Sequence, residues 1–429
     1  MRALIIFFLL FTGIGLLGGS ELTAGEKRGL TVKPDREDHI YALGDTTCFR
    51  IKVMGAGMGK MAPVVCYRLS EDGERTLADG VLEFKGNEAV LSGALEVPGF
   101  LRLELTWISG ADTLKRVCGC AFDPTAIRPT NSLPDNFDRF WRQGKAELAR
   151  IPIDAQLSEV EVQDIPGARR YHVSLANIEG SRIYGWLTVP EGEGPFPSVV
   201  VFPGGGVIRK GWRPAYTEAG LLTLAIEVHG IPMDAEDEVY EKLKWGALAG
   251  YTQLGKDDPY RYYYRRVILG GIRAADYLCS RADVDTCRIA FAGVSQGGGL
   301  SLLAGALDKR VGAIAAAVPY LCDHTGPLFG RPAPLCNLLA DGEFERVLRT
   351  VGYYDAALSA GLIEVPTLVG VGFIDPICPP TTVLAAYNNL KGPREIRMYP
   401  EFAHGKPPGW LKYAGRWLVE RLEEKVNKR

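Results

Sequence analysis

The segment 293–297, with the sequence GVSQG, surrounds Ser295 with the neighbours that a nucleophilic serine needs. It matches the pattern G-x-S-x-G, in which the serine lies on a sharp turn between a strand and a helix. An apolar run at 289–292 precedes the segment, and residues 297–303 can open a helix behind it. Because 51 of the 429 residues are glycine, the pattern alone is weak evidence. The strand-turn-helix context is what favours a nucleophile over an ordinary glycine-rich turn.

A serine hydroxyl is a weak nucleophile, so Ser295 would need a base and an acid to act. In this architecture the partners follow the serine along the chain, first the acid and then the histidine. Of the five histidines, only His324 and His404 come after Ser295. His404 follows the last strand-like run, and Asp375 ends the strand-like run before it. We therefore predict a triad of Ser295, Asp375 and His404, with His324 as the competing base.

The negative charge that forms on an ester oxygen during attack needs fixed N–H donors. We predict the backbone N–H of Gln296, the residue after Ser295, as one donor. The second donor should come from the loop after an early strand, where residues 203–206 (PGGG) follow an apolar run. A phosphate cradle is the alternative for this loop, but the lysine and serine of a P-loop are missing from its sequence.

Composition and charge exclude several classes of protein. Hydrophobic residues are 47% and charged residues 23%, which excludes disordered and fibrous chains. The 49 basic and 51 acidic residues give a net charge of -2, so no nucleic-acid partner is expected. We also predict no metal and no cofactor, because the histidines are scattered and no C-x-x-C pair is present. Cys118 and Cys120 are too close in sequence to be a zinc signature by themselves.

The elements that must position these residues fall into two regions. Residues 27–125 contain short alternating strands separated by turns, which predicts a small β-sandwich. A linker is expected at 123–130. From residue 130 to residue 429, near-continuous apolar strands alternate with helical segments. This pattern predicts an α/β domain whose mainly parallel sheet is covered by helices on both faces.

Residues 1–24 have the features of a secretory signal peptide. Arg2 precedes an uncharged stretch at 3–17, and small residues follow as candidates for cleavage. The stretch is short for a membrane span, which needs about 20 residues, and an uncleaved anchor is the alternative. We predict a secreted or periplasmic protein that is not integral to a membrane after cleavage. Nine cysteines in an exported chain invite disulfides, with buried thiols as the alternative.

The region from about residue 135 to the C-terminus resembles the family of acetyl xylan esterases and cephalosporin C deacetylases, carbohydrate esterase family seven. The matching stretches follow the family's order over about two-thirds of the chain; they are 135–141 (DNFDRFW), 262–266 (YYYRR), 293–299 (GVSQGGG), 319–323 (PYLCD), 375–380 (DPICPP), 385–388 (AAYN) and 392–396 (GPREI). The resemblance implies an α/β-hydrolase fold and the removal of acetyl groups from sugars. It carries over Ser295 as nucleophile, Asp375 and His404 as its partners, and the backbones of Gln296 and Gly205 as oxyanion donors.

The chain departs from the family's pattern at positions that shape the pocket. Pro203 stands where the family usually has a histidine, residues 228–230 (VHG) replace Arg-Gly-Gln, and Gly405 follows His404 where the family has glutamate. The reaction type is therefore a firmer expectation than the substrate. His229 lies where loops gather over the edge of a sheet, so it is predicted either to touch substrate or to brace a loop. The N-terminal region, immunoglobulin-like in its pattern, is an addition to the family's usual plan.

The combined expectation is a secreted serine esterase that hydrolyses acetyl esters on carbohydrates such as xylan-derived oligosaccharides, through an acyl-enzyme. One alternative is another α/β-hydrolase, such as a feruloyl-type esterase or a peptidase. The other is a carbohydrate-binding protein with a weakened hydrolase domain. Residues 233–256 are expected to be an insertion over the site or at a subunit contact, although their acidic run, 234–238, could equally be a solvated face. Family members often form oligomers through such projections, so a homo-oligomer remains open.

Overall fold

The computed structural model describes residues 29–55, 63–109, 112–161, 167–209, 211, 213–334, 336–340 and 344–427. The predicted signal peptide, residues 1–24, lies outside the described residues. Among the residues that are described, no helix combines the length and the apolar character that crossing a bilayer would require.

The N-terminal region folds into a small all-β module made of two sheets. Its strands are β1 (Gly29–Lys33), β2 (Ile40–Tyr41), β3 (Thr47–Met54), β4 (Val65–Glu71), β5 (Arg75–Val81), β6 (Glu88–Gly93), β7 (Gly99–Ser109) and β8 (Asp112–Phe122). The sheet orders are β1-β3-β6 and β2-β8-β7-β4-β5. Alternate residues of β3 and β7, such as Ile51 and Leu103, enter one shared core, as the alternating sequence predicts. That the module is immunoglobulin-like stays a prediction.

The remaining strands form one mixed sheet flanked by helices. The strands are β9 (Gln156–Val160), β10 (Arg169–Ala176), β11 (Arg182–Val189), β12 (Phe196–Phe202), β13 (Leu222–Glu227), β14 (Val284–Val294), β15 (Val311–Ala317), β16 (Thr367–Gly372) and β17 (Arg394–Tyr399). Their order is β17-β16-β15-β14-β12-β13-β11-β10-β9. The strands from β17 to β13 run parallel, and β11, β10 and β9 continue the sheet antiparallel.

The helices of this α/β domain are α1 (Phe137–Ala149), α2 (Pro214–Glu218), α3 (Asp237–Trp245), α4 (Tyr263–Cys279), α5 (Gln296–Leu307), α6 (Phe344–Val351), α7 (Ala356–Ser359), α8 (Pro380–Asn389) and α9 (Trp410–Asn427). They cover both faces of the sheet. Val200 and Phe202 of β12 lie in the core that includes residues of α1, α4, α5 and α8. Val199 and Val201 lie in a second core with residues of α2 and α9. Burial on both faces explains why the central strands are continuously apolar.

The segment between module and α/β domain is not an exposed linker. Ile127 is fully buried, and the side-chain amide of Asn388 in α8 donates to the carbonyl oxygens of Pro124 at 2.8 Å and Ile127 at 3.0 Å. Phe100 and Ala121 of the module belong to the large core of the α/β domain. The module is therefore packed onto the α/β domain through apolar contacts.

Candidate active site

The turn that carries Ser295 joins β14 directly to α5. Ser295 has φ 60° and ψ −122°, a conformation that residues with a side chain rarely adopt. The turn is held on both sides, since Ser295 N–H donates to the Ala317 carbonyl at 2.9 Å and the Ser295 carbonyl accepts from Tyr320 N–H at 3.0 Å. Hydrogen bonds on both sides of a residue can hold its backbone in a strained conformation.

Glycine is required at the flanking positions because the backbone of the turn folds tightly on itself. A Cβ atom added at Gly293 would collide with the backbone of Gly297, and one added at Gly297 would collide with the carbonyl oxygen of Phe202. The glycines of the GVSQG segment therefore serve the sharp strand-to-helix turn that the sequence predicted.

The structure brings Ser295, His404 and Asp375 together. The Ser295 hydroxyl lies 2.9 Å from His404 Nε2, and His404 Nδ1 lies 2.7 Å from Asp375 Oδ2. Asp375 is buried, and its other carboxylate oxygen accepts from the backbone N–H groups of Ile377 at 2.8 Å and Cys378 at 2.9 Å. Burial raises the pKa of Asp375 above its usual value, against the opposing effect of the bond to His404. The acceptor that His404 needs is therefore fixed in place by its own loop.

His324, the competing base, does not lie at the serine. Its side chain is buried, and neither ring nitrogen has a hydrogen-bond partner within the described part of the chain. Burial lowers the pKa of His324 to about 4. Its neighbour Asp323 instead binds Thr130 and Arg331. His404 is thus the histidine that contacts Ser295 Oγ.

The predicted oxyanion donors lie at the start of α5 and in the loop after β12. Gln296 begins α5, and Gly205 lies in the loop after β12. A Cβ atom added at Gly205 would lie 3.4 Å from the Tyr251 hydroxyl and 4.0 Å from the side-chain oxygen of Gln296. The Gly205 backbone is therefore next to the first residue of α5, where a second N–H donor would be needed.

A tyrosine that the sequence reasoning missed ties these loops together. Tyr251 donates its hydroxyl proton to Gln296 Oε1 at 2.6 Å and accepts from Gly206 N–H at 3.1 Å. Tyr264 donates to the same Gln296 oxygen at 2.8 Å. Burial raises the pKa of Tyr251 to about 12, so its hydroxyl remains a donor at neutral pH. Nothing in the sequence distinguishes Tyr251 from the other tyrosines, which number 18 in total.

The segment 233–256, expected over the site or at a subunit contact, supplies this tyrosine. Its acidic residues lie in solvent, with the side chains of Asp234 and Asp237 68% and 85% exposed. The segment therefore reaches the site through Tyr251 and presents its charges outward.

His229 lies behind the loop that follows β12. Its Nε2 is 3.3 Å from the carbonyl oxygen of Gly206, and its Nδ1 is 2.6 Å from the Tyr263 hydroxyl. The side chain is 6% exposed, and the Glu227 carboxylate accepts from the His229 backbone N–H at 2.8 Å. These contacts favour the interpretation that His229 braces a loop, and a contact with substrate stays a prediction.

Two groups of described residues place three metal-ligating atoms within 4.8 Å of one another. One consists of His39, Cys118 and Cys120 in the module, and the other of Asp375, Cys378 and His404. In the first group His39 Nδ1 is 2.8 Å from the Gly119 carbonyl oxygen, and in the second the imidazole is engaged by Asp375. The absence of a metal and a cofactor stays a prediction. No disulfide joins cysteines within the described ranges.

Comparison with known proteins identifies the family. The model of the family described as acetyl xylan esterase (AXE1) matches residues 125–420. The acetyl esterase Axe7A of Xylanibacter ruminicola is 30% identical over 411 residues, which cover 92% of each chain. Since so little of this chain falls outside that match, the similarity must extend into the N-terminal module.

Two solved structures are similar to the larger part of the chain. An acetyl xylan esterase from Paenibacillus sp. R4 is 32% identical with a TM-score of 0.61, covering 69% of this chain and 98% of that one. Acetyl xylan esterase 1 from Thermoanaerobacterium sp. JW/SL YS485 is 26% identical with a TM-score of 0.58, covering 70% and 97%. The chain therefore belongs to the acetyl xylan esterase family of carboxylic-ester hydrolases, as the resemblance of its sequence predicted.

Proposed function

We propose that the protein is a serine esterase that hydrolyses acetyl esters on carbohydrates such as xylan-derived oligosaccharides. The observation that carries the proposal is the hydrogen-bonded series from Ser295 through His404 to Asp375, with distances of 2.9 Å and 2.7 Å. It occurs in a chain of the acetyl xylan esterase family. Either fact alone would leave the chemistry or the substrate class open.

In the proposed reaction, Ser295 Oγ attacks the acetyl carbonyl carbon while His404 Nε2 takes the hydroxyl proton. Asp375 accepts a hydrogen bond from His404 Nδ1–H and stabilises the imidazolium that forms. The sugar oxygen then leaves with the proton from His404, and an acetyl-serine remains. A water molecule then attacks this ester while His404 takes its proton. His404 returns that proton to Ser295 Oγ as the bond to the acetyl carbon breaks and acetate is released.

The tetrahedral intermediates carry a negative oxygen, which the backbone N–H groups of Gln296 and Gly205 would bind. Rigid donors are worth most here because they need no reorganisation when charge develops. The side chain of Tyr251 supports this assignment, since it contacts both Gly206 N–H and Gln296 Oε1. The donors would then be held at a fixed separation.

The proposal is tested by measuring acetate release from acetylated xylan and from a panel of acetylated mono- and oligosaccharides. Ser295→Ala serves as the matched blank. We expect release by the wild-type protein and at most the background rate from the variant. Full hydrolysis of acetyl esters by an intact Ser295→Ala protein would overturn the proposal.

The same panel separates the alternatives. Cleavage of a small chromogenic acetyl ester without release from any sugar would point to another esterase substrate, such as a feruloyl ester, or to a peptide. Binding of glycans with no turnover of any ester would point to a carbohydrate-binding protein.

We also propose that the protein is exported through its N-terminal segment, because residues 1–24 have the pattern of a signal peptide. N-terminal sequencing of the mature protein would test export. Its native mass would test assembly into a homo-oligomer. A mature chain that begins at Met1 and stays inside the cell would contradict the proposed export.

A further inference from the structure

We propose that the N-terminal module positions the catalytic acid, and that Arg102 and Asp72 are the positioning residues through which it does so. The inference rests on the proposed role of Asp375 in the function described above. The module would then contribute to that reaction as well as packing on the α/β domain.

Arg102 of β7 reaches across to the loop that carries Asp375. Its Nη1 donates to the carbonyl oxygen of Ile374, the residue before Asp375, at 3.2 Å. Its Nε pairs with Glu104 at 3.2 Å, which fixes the guanidinium from the module side. The Arg102 side chain is 11% exposed, so the bond forms where water competes little. A charge-assisted bond of this kind is stronger than a neutral one.

Asp72, in the turn after β4, holds the other end of the same loop. Its Oδ2 accepts from Thr381 N–H, in the first turn of α8, at 3.1 Å. The side chain is buried, and burial raises the pKa of Asp72 to about 7 against the hydrogen bonds of Thr381 and the charge of Arg102. A buried carboxyl is costly unless it is hydrogen-bonded, so the contact to Thr381 constrains both partners.

Next to the bond at Ile374, the module also contacts the preceding residue, Phe373, closely. A Cβ atom added at Gly119 of β8 would lie 2.6 Å from the carbonyl oxygen of Phe373. The rings of Phe100 and Phe373 meet edge to face, with centroids 5.1 Å apart. The backbone from residue 373 to residue 381 is therefore held by the module on both sides of Asp375.

A displacement of this loop would move Asp375 relative to His404. A misplacement of about 1 Å at a reacting group can cost about 100-fold in rate. The competing interpretation is that these contacts only stabilise the interface between module and α/β domain. The two interpretations differ in whether the effect of Arg102 passes through Asp375.

The first experiment replaces Arg102 by methionine in the full chain, with Arg68→Met as the matched control. Arg68 lies in the same sheet and also pairs with Glu104, at 3.2 Å, but its other hydrogen bonds stay within the module. We expect Arg102→Met to lower kcat for a chromogenic acetyl ester by about tenfold or more, with KM changed less than twofold. Arg68→Met should keep the wild-type kcat. Equal kcat values for all three proteins would overturn the proposal.

A double-mutant cycle then asks whether the effect passes through Asp375. If Arg102 acts by placing that carboxylate, Arg102→Met should have little further effect on the residual kcat of Asp375→Ala. An equal fold-loss in both backgrounds would mean that Arg102 acts elsewhere, and the proposal would fail.

Asp72 provides an independent test should the arginine variant fold poorly. Asp72 has φ 48°, a conformation that asparagine and glycine both tolerate. Asp72→Asn keeps an oxygen acceptor for Thr381 N–H, whereas Asp72→Gly removes it. We expect kcat close to the wild-type value for Asp72→Asn and about tenfold lower for Asp72→Gly. Equal kcat in the two variants would contradict the positioning role.

Failure of this inference and failure of the proposed function give different results. If the serine mechanism is wrong, Ser295→Ala retains hydrolysis. If only the positioning role is wrong, Ser295→Ala and Asp375→Ala lose activity while Arg102→Met and Asp72→Gly keep it.

Discussion

The hydroxyl of Tyr251 donates a hydrogen bond of 2.6 Å to the side-chain oxygen of Gln296, the residue that follows Ser295. The same hydroxyl accepts from Gly206 N–H at 3.1 Å. One side chain thus joins the segment before α4, the loop after β12 and the start of α5. We therefore expect Tyr251 to affect any reaction at Ser295 that uses donors from two of these segments.

Replacing Tyr251 by phenylalanine should therefore slow catalysis without removing a catalytic group. Removing a donor that binds the oxyanion costs about 100- to 1,000-fold elsewhere, so loss of a brace should cost about tenfold in kcat. Tyr240→Phe is the control, because its hydroxyl donates to the Pro232 carbonyl and not to a group next to Ser295. Equal kcat for the two variants, measured on a chromogenic acetyl ester, would count against the bracing role of Tyr251.

For His229, we expect His229→Ala to lower kcat by about threefold to tenfold and to leave KM almost unchanged. The variant loses the contacts of the ring with the Gly206 carbonyl and the Tyr263 hydroxyl. Steady-state kinetics on a small acetyl ester and on an acetylated xylo-oligosaccharide provide the measurement. A rise in KM confined to the oligosaccharide would instead place His229 in contact with the sugar.

Asp375→Asn should lower kcat by about 10⁴-fold, since an amide holds the histidine in the wrong tautomer. The variant should fold, because the asparagine oxygen can still accept from the backbone N–H groups of Ile377 and Cys378. Asp285→Asn, which alters a half-buried pair with Arg288 at the start of β14, is the control. A kcat within tenfold of the wild-type value would argue that Asp375 is not the acid partner.

His324 makes a prediction about stability and pH. Its folded-state pKa of about 4 lies below the ordinary value of 6.5, so the unfolded chain binds a proton that the native chain does not. Its contribution to the free energy of unfolding is therefore largest above pH 6.5 and declines as the pH falls towards 4. His324→Phe should remove this decline.

The phenylalanine also removes two buried nitrogens that have no partner among the described residues. We expect it to raise the free energy of unfolding by about 1 kcal/mol or more at neutral pH. Urea unfolding at pH 5 and at pH 7.5 would measure both effects. A difference from wild type that is the same at the two pH values would show that His324 does not titrate in this range.

The residues that meet at Ser295 could be predicted from the sequence because each follows a strand of the parallel sheet. Chain order then restricts the choice of the acid and the base. The separation of 109 positions between Ser295 and His404 does not affect that prediction. The strands β11, β10 and β9 continue the sheet antiparallel, and no motif in their sequence indicates that direction.

The contact between Arg102 and Ile374 shows why the packing of the module on the α/β domain could not be predicted from the sequence. It joins residues 272 positions apart through one side chain and one carbonyl oxygen, and neither has a periodic or motif signature. Similarly, residues 123–130 look like a linker because they contain prolines and polar residues. Pro124 and Ile127 are nevertheless buried, and both accept hydrogen bonds from Asn388 of α8, a partner that the local sequence does not indicate.

The backbone of Ser295 is in a conformation that serine does not prefer, since φ 60° and ψ −122° suit glycine better. Strain of this kind is worth about 1–3 kcal/mol, so Ser295→Gly should be an inactive protein that unfolds at a higher temperature than the wild type. Stability and activity are thus in opposition at this position. A chain that had lost the need for a nucleophile would gain stability by losing this serine, and its presence argues that the hydroxyl is used.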